Sequence, residues 1–391
     1  MKIGILTFWE TLDNYGQVLQ GYALQKYLHS LGHEVFFIRY DHDGKFKRTK
    51  KKKCSMFVKF LKLLMIYPVI LYIFHYKKKK EYRERIVYNQ KMNIQRCFDK
   101  FRDKYFKYSP ELYLTLGELQ KNPPKADTYI VGSDQVWGWT LKHYDNRAFF
   151  LDFGPDSVKR IAYAPSFAME DYPMEQKSVL AQLLKHFNAI SVREKTGVAI
   201  CNSVGYDAKW VCDPTMLLEE NDYSNLISQS EKEPYIFIYS LNISMKEEIA
   251  WSQIESLASD NHFRIVVTVS SGYIPAYELF DNVEYDYATI EQWLSNIYNS
   301  QFVVTTSFHG VSLCVILNKN FAFVPLKGKY AKGNNRVTDL LEILELTDHI
   351  VGEGNSIRSI YNRSTDWVRT NLLLEEFRIL SQGYLLKELS S

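Results

Sequence analysis

The sequence predicts an α/β protein made of two doubly wound, Rossmann-like halves, and three observations carry that reading. The chain opens as strand, loop, helix, glycine, strand. Short apolar segments, each ending in a polar loop, then recur as far as Asp213. A polar Ser/Asn/Glu-rich stretch around 219–234 is followed by a fresh strand-and-helix series. At 391 residues the chain exceeds the usual single-domain size, so two domains are expected. With 46% hydrophobic and 24% charged residues it has the composition of a globular protein with substantial cores, not of a disordered chain or a fibre.

Residues 2–8 read as a buried parallel strand, being short, apolar and without helix caps. From Gln17 the apolar residues Val18, Leu19, Tyr22, Ala23, Leu24, Tyr27 and Leu28 fall at helical spacing, and Gly32 supplies a stop. Val35 to Tyr40 is the next strand, completing a right-handed βαβ unit. Further strands are predicted at Asp127–Gly132, Ile161–Ala164, Ala189–Val192 and Trp210–Cys212. Each runs into a polar loop, placing Ser133, Asp134, Ser166, Arg193 and Asp213 at carboxyl ends. In open α/β sheets those ends form the ligand crevice.

Between the second and third of these strands the pattern is interrupted. Lys45 to Lys53 carries seven basic residues and no acidic one, and Lys77-Lys78-Lys79-Lys80 is followed by Arg83 and Arg85. The intervening 56–76 is long and apolar, but Lys59, Lys62 and Pro68 argue against a membrane span. An apolar stretch with lysine flanks suits a segment lying on an anionic membrane surface, so 45–85 is expected to make peripheral membrane contact. The charge is local, which speaks against nucleic acid as a partner. The five cysteines are scattered without CxxC or Cys/His spacing, so neither a disulfide framework nor a metal site is predicted. With no signal peptide visible at Met1, the expected location is cytoplasmic, on the inner face of the plasma membrane.

The second half begins with a strand at Tyr235–Ser240 and continues with Arg264–Val269. A helix at Thr289–Asn299 follows, then strands at Phe302–Thr305 and Phe321–Pro325, and helices near 338–346 and 365–380. The expected architecture is GT-B-like, with two Rossmann-like domains facing each other across a cleft. Residues 1–220 form the first domain and 235–370 the second, while a C-terminal helix at 371–391 packs back on the first.

The sharpest local signal is Thr306-Ser307-Phe308-His309-Gly310, between a strand and an apolar helix at Val311–Leu317. It places an imidazole at a strand end beside the N–H groups of a helix N-terminus, suited to general acid/base work near an anion. Asp13-Asn14-Tyr15-Gly16-Gln17 sits at the first strand–helix junction but lacks GxGxxG, which disfavours a dinucleotide site. Arg193 and Arg336 lie in loops where a two-pronged guanidinium can hold a carboxylate or phosphate. Asp134 and Asp213 are a candidate carboxylate pair. No GxSxG elbow accompanies Ser307, so a serine hydrolase is excluded.

The order of motifs resembles the polysaccharide pyruvyl transferase family. The matching segments are Asn14-Tyr15-Gly16-Gln17-Val18-Leu19-Gln20, Val131-Gly132-Ser133-Asp134-Gln135-Val136-Trp137, Ser191-Val192-Arg193-Glu194, Asp213-Pro214-Thr215 and Ser307-Phe308-His309-Gly310. The resemblance runs from residue 1 to about 345 and passes over 45–85. It implies transfer of the enolpyruvyl group of phosphoenolpyruvate to two hydroxyls of a sugar, galactose foremost, forming a pyruvate ketal on a lipid-linked oligosaccharide precursor of a surface glycan. No cofactor is implied, phosphoenolpyruvate being the donor substrate. His309 takes the catalytic position and Arg193 an anion-binding one. Arg336, with Lys329 and Lys332 as rivals, is the second cation. Asn14, Tyr15, Gly16, Ser133, Asp134, Ser307 and Gly310 line the substrate site. Many relatives carry an Arg where this chain has Phe308. The competing readings are a nucleotide-sugar glycosyltransferase on the same scaffold and a non-catalytic glycan-assembly subunit.

Overall fold

The computed structural model describes residues 1–42, 69–138, 141–229 and 233–390, with residues 69–75 described by their backbone alone. Its first sheet comprises β1 (Lys2–Leu6), β2 (Glu34–Tyr40), β3 (Tyr108–Tyr113), β4 (Thr128–Val131), β5 (Lys159–Ala162), β6 (Ala189–Val192) and β7 (Lys209–Trp210). All pair in parallel, in the order β3-β2-β1-β4-β5-β6-β7. The second sheet comprises β8 (Tyr235–Ser240), β9 (Arg264–Val269), β10 (Glu284–Tyr285), β11 (Phe302–Thr305) and β12 (Phe321–Phe323). It too is parallel, in the order β10-β9-β8-β11-β12. This is the GT-B-like pair of Rossmann-like sheets that the sequence predicts. β4, β8 and β11 are buried throughout, as strands covered by helices on both faces must be, which is why they read as unbroken apolar runs.

In each sheet the strand order reverses once, between β1 and β4 and between β8 and β11. Ligand crevices form at such reversals, and here the loops that leave them meet. Helix Tyr15–Ser30, which follows β1, is buried on nearly every face because it lies between the sheets. It packs on the turn Pro214–Leu217 and on helices Ile290–Asn299 and Phe308–Ile316. The largest hydrophobic cluster runs through it from Ile3 and Ile5 in the first sheet to Phe237, Val303 and Trp293 in the second half. The two halves are thus held by a shared core and do not merely touch at a rim.

Both helices that matter at the site start earlier than the apolar spacing suggests, at Tyr15 instead of Gln17 and at Phe308 instead of Val311. Polar residues just ahead of the apolar run take the cap: Asn14 Oδ1 accepts from Gln17 N–H at 3.3 Å, and Ser307 Oγ from Gly310 N–H at 3.4 Å. Two short edge strands, β3 and β10, were not predicted. The sequence of β3, YSPELY, carries Pro110, which lacks a ladder donor and is tolerated only at an edge.

The expected membrane-facing stretch lies mostly outside the described residues, which resume at Val69. From there one helix, Val69–Arg96, carries Lys77–Lys80 on its exposed surface. Its later turns reach the second half, where Tyr88 Oη donates to Glu278 at 2.7 Å and Arg96 to the Val269 carbonyl at 3.0 Å. Among the described residues no helix is long and apolar enough to cross a membrane. The C-terminal helix, Trp367–Ser390, lies against the first domain. There Arg378 Nε donates to the Met216 carbonyl at 2.7 Å and Cys212 N–H to Ser381 Oγ at 2.8 Å.

Candidate functional site

His309 stands in the first turn of helix Phe308–Ile316, at the end of β11, and is 6% exposed. Its imidazole crosses to the first domain. Nε2 lies 3.5 Å from Asp213 Oδ2, close enough for an ion pair but long for a directed hydrogen bond. On the other side the ring rests on Gly16. A Cβ added there would fall 2.1 Å from His309 Nδ1, so no other residue fits without displacing the imidazole. The N-terminus of helix Tyr15–Ser30 and that of Phe308–Ile316 therefore converge on one side chain. Both present free N–H groups and the positive end of a helix dipole, which favour an anion.

Asp213 is the hub beneath the imidazole and is itself fully buried. Oδ1 accepts from Thr215 N–H at 3.0 Å and Thr215 Oγ1 at 2.8 Å. Oδ2 accepts from Arg193 Nη1 at 2.9 Å and Ser133 Oγ at 3.0 Å. Burial alone would raise its pKa. The facing His309 and Arg193, together with the donated hydrogen bonds, outweigh that and hold the carboxyl well below the usual range. Arg193 extends its other arm to Asp134 Oδ1 at 3.3 Å and lays its guanidinium 4.6 Å from the Phe308 ring centroid. Burial by itself would depress its pKa, but Asp213, Asp134 and Glu194 raise it. Glu194 Oε1 accepts from Ser166 Oγ at 3.1 Å and Phe167 N–H at 2.8 Å, while Oε2 is buried without a hydrogen-bond partner among the described residues. Desolvation raises this carboxyl.

Outward from this buried cluster lies a rim. Arg336 is partly buried, and Nε donates to the Gly333 carbonyl at 3.0 Å. With the Gln135 amide oriented by its neighbours, the amide oxygen accepts from Arg336 Nη2 at 2.9 Å and also from Nη1, and its nitrogen faces Tyr273 Oη. Tyr273 stacks on Tyr330 at 5.7 Å. Burial and the nearby Arg193 charge lower the Arg336 pKa, the mark of a cation short of compensating negative charge.

A model of one family, polysaccharide pyruvyl transferase, matches residues 14–327, from the first helix cap past the His309 motif. The chain belongs to the polysaccharide pyruvyl transferase family. No curated protein matches significantly. Among solved structures, the calicheamicin glycosyltransferase is 14% identical with a TM-score of 0.44, covering 99% of this chain and 96% of its own. The S. aureus MnaA–UDP structure is 11% identical with a TM-score of 0.48, covering 96% and 90%. Acinetobacter baumannii MurG is 11% identical with a TM-score of 0.37, covering 98% and 94%.

In this pyruvyl transferase family member the residues singled out in the sequence fall into two groups. His309, Gly16, Ser307, Gly310, Ser133, Asp134 and Arg193 do come together, as does Asp213. Several of them, however, hold each other and present nothing to a ligand. Arg193 is not an open clamp, because its side chain is 1% exposed and both terminal nitrogens are taken by carboxylates. Ser133 is wholly buried, its Oγ placed between the Ala164 carbonyl and Asp213. Tyr15 is likewise no substrate contact. It is fully buried across the domain interface, donates to the Ala288 carbonyl at 2.8 Å and stacks on Trp293. Gly310 is needed for packing, since a Cβ there would lie 2.4 Å from Thr305 Oγ1. Asn14 is a half-exposed cap. Lys329 and Lys332 are exposed on the loop before Arg336. Sequence reasoning missed Gln135 and Tyr273 as partners of Arg336. Gln135 stood inside a quoted motif, whereas Tyr273 lies in a loop with no signal of spacing.

Proposed function

We propose that this family member moves the enolpyruvyl group of phosphoenolpyruvate onto two hydroxyls of a sugar, with galactose as the first candidate, to form a pyruvate ketal. The observation that carries the reading is the position of His309 between two converging helix N-termini, backed by a buried carboxylate. A donor bearing both a carboxylate and a phosphate suits the paired positive helix ends and the partly buried Arg336. Asp213 positions the imidazole through Nε2, leaving Nδ1, beside Gly16, to exchange protons.

The reaction then needs few groups. The His309 imidazolium gives a proton to the methylene carbon of the donor, creating an oxocarbenium-like centre at the adjacent carbon. A sugar hydroxyl forms a C–O bond there and returns its proton to the imidazole. The C–O bond to phosphate breaks, and a second hydroxyl closes the ketal while its proton leaves with phosphate. Arg336 and the helix N-termini face the negative charge that gathers on the departing group.

The acceptor is proposed to be a lipid-linked surface-glycan precursor at the cytoplasmic membrane face, reached through the basic and apolar stretch 45–85. The test is to incubate the full chain with phosphoenolpyruvate and a panel of galactosides, soluble and lipid-linked, following phosphate release and the pyruvyl mass gain. Nucleotide release from a sugar nucleotide, with phosphoenolpyruvate untouched, would replace this reading with a glycosyltransferase.

A further inference from the structure

We infer that the groove between helix Val69–Arg96 and the turn at Ser271–Tyr273 binds one uncharged sugar ring of the acceptor. The cavity measures about 210 Å³ and includes Tyr82, Asn89, Gln90, Asn93, Gly272 and Tyr273 in its wall. Drug-sized pockets span about 300–1,000 Å³, so this one suits a single ring. Among the described residues no Asp, Glu, His, Lys or Arg lines it, so an ion would find no charged partner in its described wall. Side-chain amides both donate and accept, as sugar hydroxyls do, and tyrosine rings offer flat faces to the C–H side of a pyranose.

Its walls are fixed in part and free in part. Asn89 Nδ2 donates to Asp13, whose carbonyl accepts from Ser270 Oγ at 2.6 Å, while Asn89 and Asn93 both accept from Arg96 through their Oδ1 atoms. Those contacts tie the helix to Asp13, which Ser270 in turn joins to the second domain. Gln90 is solvent-exposed and has no hydrogen-bond partner among the described residues, so its amide is available. Gly272 lets the turn close on Asn242, because a Cβ there would fall 2.3 Å from Asn242 Oδ1.

Position points the same way as chemistry. Tyr273 belongs to the groove wall and also meets Gln135, which in turn holds Arg336. Asp13 adjoins Asn14, the cap of the helix that seats His309. The groove therefore opens off the rim of the site, on a helix whose first half belongs to the 45–85 stretch. The inference rests on the transferase reading for its role, but sugar binding itself needs no turnover.

Saturation-transfer NMR of the full chain with methyl galactoside, methyl mannoside and methyl glucoside tests it, alongside a Tyr82→Ala/Gln90→Ala double variant. Both positions are exposed, and an unchanged melting temperature would verify the fold. The expected result is at least one glycoside whose binding weakens tenfold or more in the variant, with a matching rise in acceptor KM and an unchanged KM for phosphoenolpyruvate. Equal binding by both proteins, or no glycoside bound by the wild type, overturns the inference. Binding lost in the variant with no phosphate released from phosphoenolpyruvate by the wild type would leave the groove standing and remove the pyruvyl-transfer reading.

Discussion

Around His309 each charged group is sealed against a fixed partner, with Asp213, Arg193 and Asp134 all close to fully buried. Around Arg336 the groups are partly exposed and joined by the Gln135 amide and a stacked pair of tyrosines. The two regions lie side by side and share the Arg193–Glu194 neighbourhood, yet they are built to different ends. A buried ion-pair network fixes the shape of the surroundings of His309. A partly buried cation held by neutral partners can trade them for a ligand. Charge alone does not mark a binding residue: the arginine that the family motif highlights is the one least able to leave its partners.

If the imidazole is the reacting group, His309→Ala should lower kcat by about 10²–10⁴-fold, with an unchanged melting temperature. Gly16→Ala tests the buried side by shape. The added methyl collides with the imidazole, so a loss of about 10²-fold in kcat is expected although the KM for donor hardly moves. On the rim, Arg336→Ala should reduce kcat/KM for phosphoenolpyruvate by about 10–100-fold, mostly through KM, without loss of stability. The same KM effect from Arg193→Lys, with stability intact, would erase the contrast drawn above.

Stability separates the regions in the opposite sense. Asp213→Asn leaves Arg193 undercompensated in the interior and should cost about 3–5 kcal/mol in denaturant unfolding at pH 7. The Asp213 carboxyl is depressed in the folded protein. Its stabilisation is therefore complete above the unfolded value of about 4 and is lost as pH falls below it, so the variant should show a flatter acid limb. Glu194 has the other sign. Its folded pKa is raised, which penalises the folded state once pH exceeds the unfolded value. Glu194→Gln should consequently be relatively more stable at pH 8 than at pH 4, a small effect read from paired melting curves.

Much of the scaffold is legible in the sequence because buried parallel strands write themselves as apolar runs. β1, β4, β6, β8, β9 and β11 all occur within a few residues of where those runs lie. His309 is legible for the same reason, standing just after one of them. Pairings across the fold are not. Arg193 meets Asp213 and Asp134 over separations of 20 and 59 residues, and no local spacing records that geometry. Tyr15 reads as part of a ligand loop because its neighbours Asn14 and Gly16 have turn chemistry. Only the tertiary contact with Trp293 and Ala288 makes it a wedge between domains. Phe308, read in the sequence only by its place before His309, has a part in the cluster, since its ring is the surface on which Arg193 lies.

The seat of the imidazole on Gly16 also makes the second domain report on the first. An imidazole on one half that fits into the missing side chain of a residue on the other behaves as a feeler gauge. Were the halves to part by an ångström, the ring would lose its backstop and its carboxylate together. In the proposed reaction, such coupling would let protons reach a high-energy enol phosphate only while the chamber is shut, sparing the donor from wasteful hydrolysis between turnovers.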